Sequence, residues 1–183
     1  LSKLHMYSFY YDVLKERYKE NVRLAYTDTD RFIIHTKTKD IYDDFNEIKE
    51  HMDFSGYDKN HKCYDAINKK RLGCFKDECD GKIITHFIGL KPKSYVFKVH
   101  NEKKEEKKSK GIVKHKVKKE LTYKSYEETL RYNKSDTVQF NSIRSKRHNI
   151  YTINQVKQAL SSFDNKRFYI DSFNSLPYGY KQQ

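Results

Sequence analysis

The chain is short of several things, and each absence narrows what it can be. No apolar run approaches the roughly 20 residues that a membrane-spanning helix needs, so no membrane role is expected. Residues 1–20 are interrupted by charges and aromatics and lack the apolar stretch of a secretory signal. Only three cysteines are present, Cys63, Cys74 and Cys79. They give no disulfide framework, and a reducing, intracellular compartment is the expectation. Together with His61 and His86 they also lack the paired spacing of a zinc site, so half-buried thiols are expected instead. No internal repeat is visible. Acidic residues are in the minority, 25 against 38 Lys and Arg, which leaves a formal charge of +13 and a pI near 9.4.

That excess favours a polyanionic partner, most simply nucleic acid, through phosphate neutralisation and counterion release. The chain is not a disordered basic tail, because 36% of it is hydrophobic, with 16 Tyr and 11 Phe. Tyrosine packs its ring while keeping its hydroxyl wet, which suits a core beside a polar cleft. At 183 residues the length fits one domain, or one with a small appendage. The chain begins on Leu1 in the middle of a helical pattern, so a piece of a longer polypeptide is expected.

Leu4, Tyr7, Tyr11, Leu14 and Tyr18 recur at helical spacing and predict an amphipathic helix over Ser2–Lys19. Ile41, Phe45, Ile48 and Met52 predict a second helix, closed by Gly56. The stretch Tyr57–Gly81 reads as loop. Ile83–Leu90 and Tyr95–Val99 read as strands, with Pro92 marking the turn between them. Glu102–Glu120 holds nine lysines. Such a run reads as a solvated, mobile loop, or as a DNA contact, since Gly111-Ile112-Val113 interrupts it with apolar residues. Ser125–Tyr132 and Asn154–Leu160 read as helices, Thr137–Phe140 and Asn149–Thr152 as strands. Arg144, Lys146, Arg147 and His148 form a further basic cluster. Helices packed on one face of an antiparallel sheet give an α+β class.

The densest information lies in Tyr26-Thr27-Asp28-Thr29-Asp30. Apolar, β-prone runs flank it, Val22 to Tyr26 before and Phe32 to Ile34 after, so it reads as a hairpin tip. Residues two apart in a strand share a side, so Asp28 and Asp30 are expected to converge. Converging carboxylates repel unless a cation lies between them, and hard oxygen donors suit Mg²⁺ or Mn²⁺. A pair of such ions moves nucleotidyl groups in polymerases.

In this setting the stretch resembles the Y-x-D-T-D-S motif of family B DNA polymerases. Lys93-Ser94-Tyr95 resembles the K-x-Y motif of the same family. Met52–Tyr57, Leu72–Glu78, Phe87–Lys93, Lys110-Gly111-Ile112 and Ser161–Arg167 are similar to the protein-primed branch, which includes viral, organellar-plasmid and Polinton/Maverick-type transposon polymerases. The resemblance implies a palm over residues 1–100 and a basic, thumb-like region over 101–183. It makes Asp28 and Asp30 the catalytic, metal-binding carboxylates. Tyr26 and Thr29, with Lys91, Lys93 and Tyr95, would lie by the primer terminus. Lys110, Lys114, Lys116, Arg144, Lys146 and Arg147 would grip duplex phosphates without reading sequence. The implied partners are a DNA template-primer, a deoxynucleoside triphosphate and a terminal priming protein.

Two departures matter. The family's motif A aspartate and its motif B are not in this chain, so these residues alone are not expected to extend a primer. Arg31 stands where the family has Ser, and its guanidinium can compete with a metal at Asp30, or point to the opposite strand face. A non-catalytic nucleic-acid-binding relic of a mobile-element polymerase is the leading rival. A D-x-D glycosyltransferase would need a nucleotide-binding domain before the motif, and a metal-dependent nuclease would need clustered acids.

Overall fold

The computed structural model describes residues 1–163, 167–171 and 174–177. The chain divides into two compact units, Leu1–Ile84 and Thr85–Gln183. It is a mixed fold of helices and small antiparallel sheets. Among the described residues no helix is long and apolar enough to cross a membrane.

The first unit opens with α1 (Ser2–Ser8), which runs on through a wide-turned π segment (Phe9–Lys15) into α2 (Glu16–Tyr18). Its buried side chains include Met6, Phe9, Tyr10, Leu14 and Tyr18. Tyr10, Leu14 and Tyr18 are spaced by four, and such a stripe drifts by about 40° per step around an α-helix. Wider turns reduce that drift and keep all three on the core. The buried face is therefore not the one the spacing of Leu4, Tyr7 and Tyr11 suggests. Those three are 67%, 49% and 59% exposed.

β1 (Val22–Asp28) and β2 (Arg31–Thr36) form the predicted hairpin, with Val22 opposite Thr36 and Asp28 opposite Arg31. A register shift between Leu24 and Tyr26 leaves Ala25 as the extra residue. The core joins Phe9, Tyr10, Leu14 and Val22 to Ile48, Met52 and Phe54, with Phe32 and Ile34 packed against it. Burying aliphatic side chains such as Leu14 and Val22, each 1% exposed, is worth about 1.5–3 kcal/mol apiece.

α3 (Ile41–Glu47) is the second predicted helix, capped by the Asp40 carboxylate accepting from the Tyr42 amide. It is tied to the first helical segment by charge. Arg17 donates to Asp44 and Glu47, each at 2.8 Å, and Tyr18 and Thr38 also donate to Asp44. Burial pushes the Asp44 carboxyl up, but the donors from Thr38, Arg17 and Tyr18 together hold it below the usual range. The stretch from Tyr57 to Gly81 is a succession of turns, as expected.

In the second unit, β3 (Ile84–Lys91), β4 (Ser94–Val99) and β5 (Glu105–Lys108) make a three-stranded sheet. α4 (Lys114–Glu120) and α5 (Tyr123–Tyr132) follow, then β6 (Asp136–Lys146) and β7 (Asn149–Leu160), a long two-stranded ribbon. β8 (Arg167–Tyr169) pairs with β9 (Ser175–Pro177).

Two expectations are corrected here. The lysine-rich run is not a mobile loop. Glu105–Lys108 pairs with β4, and Ser109, Ile112, Val117 and Leu121 are buried. Asn154–Leu160 is strand rather than helix, paired with β6 from Asn141 to Asp136 with Ala159 as an extra residue. The core gathers Ile88, Val96, Ile112, Val117, Leu121, Tyr126, Val138, Phe140 and Leu160. Tyr126 is fully buried and donates its hydroxyl to the Lys108 carbonyl at 2.7 Å. α5 starts on a reciprocal Thr122–Ser125 cap and stops at Asn133 in the left-handed region.

Candidate functional site

The acidic candidates sit where the hairpin turns. Asp28 ends β1 and is half-buried, while Thr29 and Asp30 form the turn and are exposed. The turn is tight: the Asp30 amide donates to the Asp28 carbonyl at 2.7 Å, and Thr29 has φ +57°. A β-branched residue rarely adopts that region, so the tip stores strain. The Thr29 hydroxyl donates to the Asp28 carboxylate at 3.2 Å, and Ser2 from α1 reaches the Thr29 carbonyl at 3.4 Å. The same-side rule for residues two apart stops applying at the turn, because Thr29 leaves extended geometry. Tyr26 is half-buried on β1.

Arg31 is on the carboxylate side of the hairpin. It lies directly opposite Asp28 in the register, and opposed residues share a face. Its Nε lies 3.9 Å from Asp30 and its guanidinium 3.5 Å from Glu78. The first distance is an ion pair rather than a hydrogen bond. Glu78 is a neighbour the sequence did not point to, because it comes from the turn-rich loop far along the chain.

Asp28 and Asp30 fit a hard divalent ion by donor type. They supply two carboxylates, and among the described residues no group of three or more His, Cys, Asp or Glu is placed to hold a metal ion. A two-metal site needs more, so these residues alone do not complete one. Cys63 is buried and contacts the Tyr42 carbonyl at 3.1 Å, while Cys74 lies 3.7 Å from the Glu50 carbonyl.

The other candidates lie in the second unit, and the K-x-Y strands belong to a different sheet from the β1–β2 hairpin. Pro92 and Lys93 form the two-residue turn between β3 and β4. Lys93 has φ +62°, which with proline before it makes a type II turn. Lys91 is half-buried and Lys93 exposed. Ser94 is fully buried with no partner for its hydroxyl, and Tyr95 is 6% exposed, between Phe87 and Phe97. Lys110 and Lys114 are exposed on either side of Gly111–Val113, and Lys116 pairs with Glu120 on α4. Arg144, Lys146 and Arg147 are exposed at the far end of the β6–β7 ribbon. Asp164 and Lys166, in the Ser161–Arg167 stretch of the resemblance, lie outside the described residues, and Arg167 donates to Ser175 at 2.7 Å.

Comparison with protein-family models, with curated proteins and with solved structures returns no match.

Proposed function

We propose that the chain is the C-terminal palm-and-thumb part of a DNA-directed DNA polymerase of family B, of the protein-primed type. Asp28 and Asp30 contribute carboxylates to a Mg²⁺ or Mn²⁺ site, and the basic second unit holds the template-primer. The observation that carries the reading is the two-residue hairpin tip presenting Asp28 and Asp30, in the Y-T-D-T-D context. The charge of +13 supports the DNA half of it. A bound divalent ion would stabilise developing negative charge during nucleotidyl transfer. This chain's own part would be to hold the ion through Asp28 and Asp30 and to hold duplex phosphates through its lysines and arginines. The third carboxylate and the nucleotide-binding motif belong to other segments of such an enzyme.

A second reading, a non-catalytic nucleic-acid-binding relic, is favoured by one observation: Arg31 stands beside the carboxylates as a built-in cation. Two titrations of the 183-residue chain separate the readings. Mn²⁺ binding is followed by electron paramagnetic resonance, and binding of a fluorescent primer-template by anisotropy. The polymerase reading expects weak Mn²⁺ binding that Asp28→Asn with Asp30→Asn abolishes. It also expects salt-sensitive DNA binding, with no primer extension by these residues alone. Mn²⁺ affinity indifferent to both substitutions, with DNA binding retained, overturns it in favour of the relic. Mg²⁺-dependent extension by the isolated chain overturns the claim that the site is incomplete.

A further inference from the structure

The β6–β7 ribbon has one basic face and one uncharged face. Val138 and Phe140 are buried, 3% and 5% exposed, and root one face in the core. Beyond Ser142 that same face runs on into solvent, with Arg144 opposite Tyr151 and Lys146 opposite Asn149. The other face pairs Asn141 with Asn154, Ile143 with Thr152 and Ser145 with Ile150, and carries no charge. Over residues 137–160 the chain has four Lys or Arg and no Asp or Glu. From Phe140 to Lys146 the strand reaches about 20 Å past its last buried residue, at about 3.4 Å per residue. The turn residues Arg147 and His148 close it with φ +47° and +66°. Side-chain amides brace it on the uncharged face: Gln139 donates to Asn154 at 2.5 Å, and Asn154 to Asn141 at 2.6 Å.

We propose that this ribbon lies in the major groove of duplex DNA, with the face of Arg144, Lys146, Asn149 and Tyr151 turned to the groove. The inference rests on the DNA-binding half of the function proposed above and is independent of the metal half. Two strands about 4.8 Å apart with their side chains fit a major groove about 12 Å wide and not a minor groove about 6 Å wide. Arginine, lysine, asparagine and tyrosine are donors to phosphates and base edges. The absence of acidic residues removes repulsion along the whole insertion. A single-strand platform needs successive aromatic rings for stacking, and the outer part of this face offers Tyr151 alone.

The test uses the whole chain and neighbouring residues on opposite faces. Ile143 is 74% exposed, Arg144 is exposed as well, and neither belongs to the core. Ile143→Glu and Arg144→Ala change the net charge equally, by one unit. Anisotropy is measured with a 20-base-pair B-form DNA, the matching single strand and an RNA duplex, and circular dichroism checks that both variants melt like the parent. Arg144→Ala is expected to weaken duplex binding about fivefold or more, and Ile143→Glu by less than about twofold, since it faces away. B-form DNA is expected to bind tighter than the RNA duplex, whose major groove is too narrow for side chains. Methyl green, a major-groove ligand, should compete and netropsin, a minor-groove ligand, should not. Equal losses from the two variants, tighter binding of the single strand, or competition by netropsin overturns the inference while leaving DNA binding intact. No DNA binding by the parent chain overturns the DNA-binding reading itself.

Discussion

The β1–β2 and β6–β7 hairpins each reverse in two residues, Thr29–Asp30 and Arg147–His148. The first holds Thr29 at positive φ and the second holds both Arg147 and His148 there, where glycine would be the easy choice. Beyond that they diverge. β1–β2 is short, and its Phe32 and Ile34 pack against the core of the first unit. Its tip carries Asp28 and Asp30. β6–β7 is longer, 11 and 12 residues, and leaves the core after Phe140 with a basic tip. The two tips therefore differ in turn geometry as well as in charge. On the proposals above, side-chain charge would set the ligand, and the length that leaves the core would set whether a hairpin holds an ion at a packed surface or reaches out to a polymer.

The largest effect expected from breaking this contrast is at the root of the ribbon. Phe140→Ala removes a buried aromatic ring and should cost about 3–5 kcal/mol. Ile143→Ala, three residues further out, should stay within about 0.5 kcal/mol. Urea unfolding of the two variants checks this, and comparable losses would mean that the outer ribbon is packed after all.

The same residues show what the sequence discloses and what it hides. The hairpin at Asp28 was legible because apolar runs flank turn residues, and that pattern is local. The β3–β4 turn was legible for a similar reason, since Pro92 cannot donate to a ladder. Asn154–Leu160 was misread because Gln, Lys, Ala and Leu favour helix on their own. Cross-strand pairing with β6 decides otherwise, and that partner is distant in the chain. The mobile-loop reading of the lysine run fails because nine lysines mask Ile112, Val117 and Leu121, three apolar residues at spacings of five and four that all enter the core. At the site, Asp28, Asp30 and Arg31 were visible. Glu78 was not, since only folding brings the loop beside the hairpin.

A smaller effect is expected at the ribbon's turn. A two-residue turn with both central residues at positive φ favours Asn-Gly, and Arg147 and His148 each carry a Cβ there. Replacing the pair by Asn-Gly should stabilise the chain by about 1–2 kcal/mol while weakening duplex DNA binding through the lost guanidinium. Thermal melting and anisotropy on one variant read both. A lower melting temperature would mean that the native pair makes contacts worth more than the strain.

The smallest effect is expected at the acidic tip, from Arg31→Ser. Arg31 is 44% exposed on its side chain, and its partners Asp30 and Glu78 are 74% and 69% exposed. Exposed pairs of this kind contribute about 0–1 kcal/mol, so the melting temperature should hardly move. The charge itself matters more to a second cation than to the fold. Two unit charges about 4 Å apart interact by about 1 kcal/mol in water, and a divalent ion doubles that, so removing the guanidinium charge should tighten Mn²⁺ binding at Asp28 and Asp30 by about tenfold or more at low ionic strength. Raising the salt shortens the screening length and should shrink the gain toward nothing. Paramagnetic resonance titrations of parent and variant at two salt concentrations measure this. An unchanged Mn²⁺ affinity at low salt would show that the guanidinium does not oppose a cation at the carboxylates. The acidic tip would then differ from the basic one in what it can hold, and not in what already occupies its field.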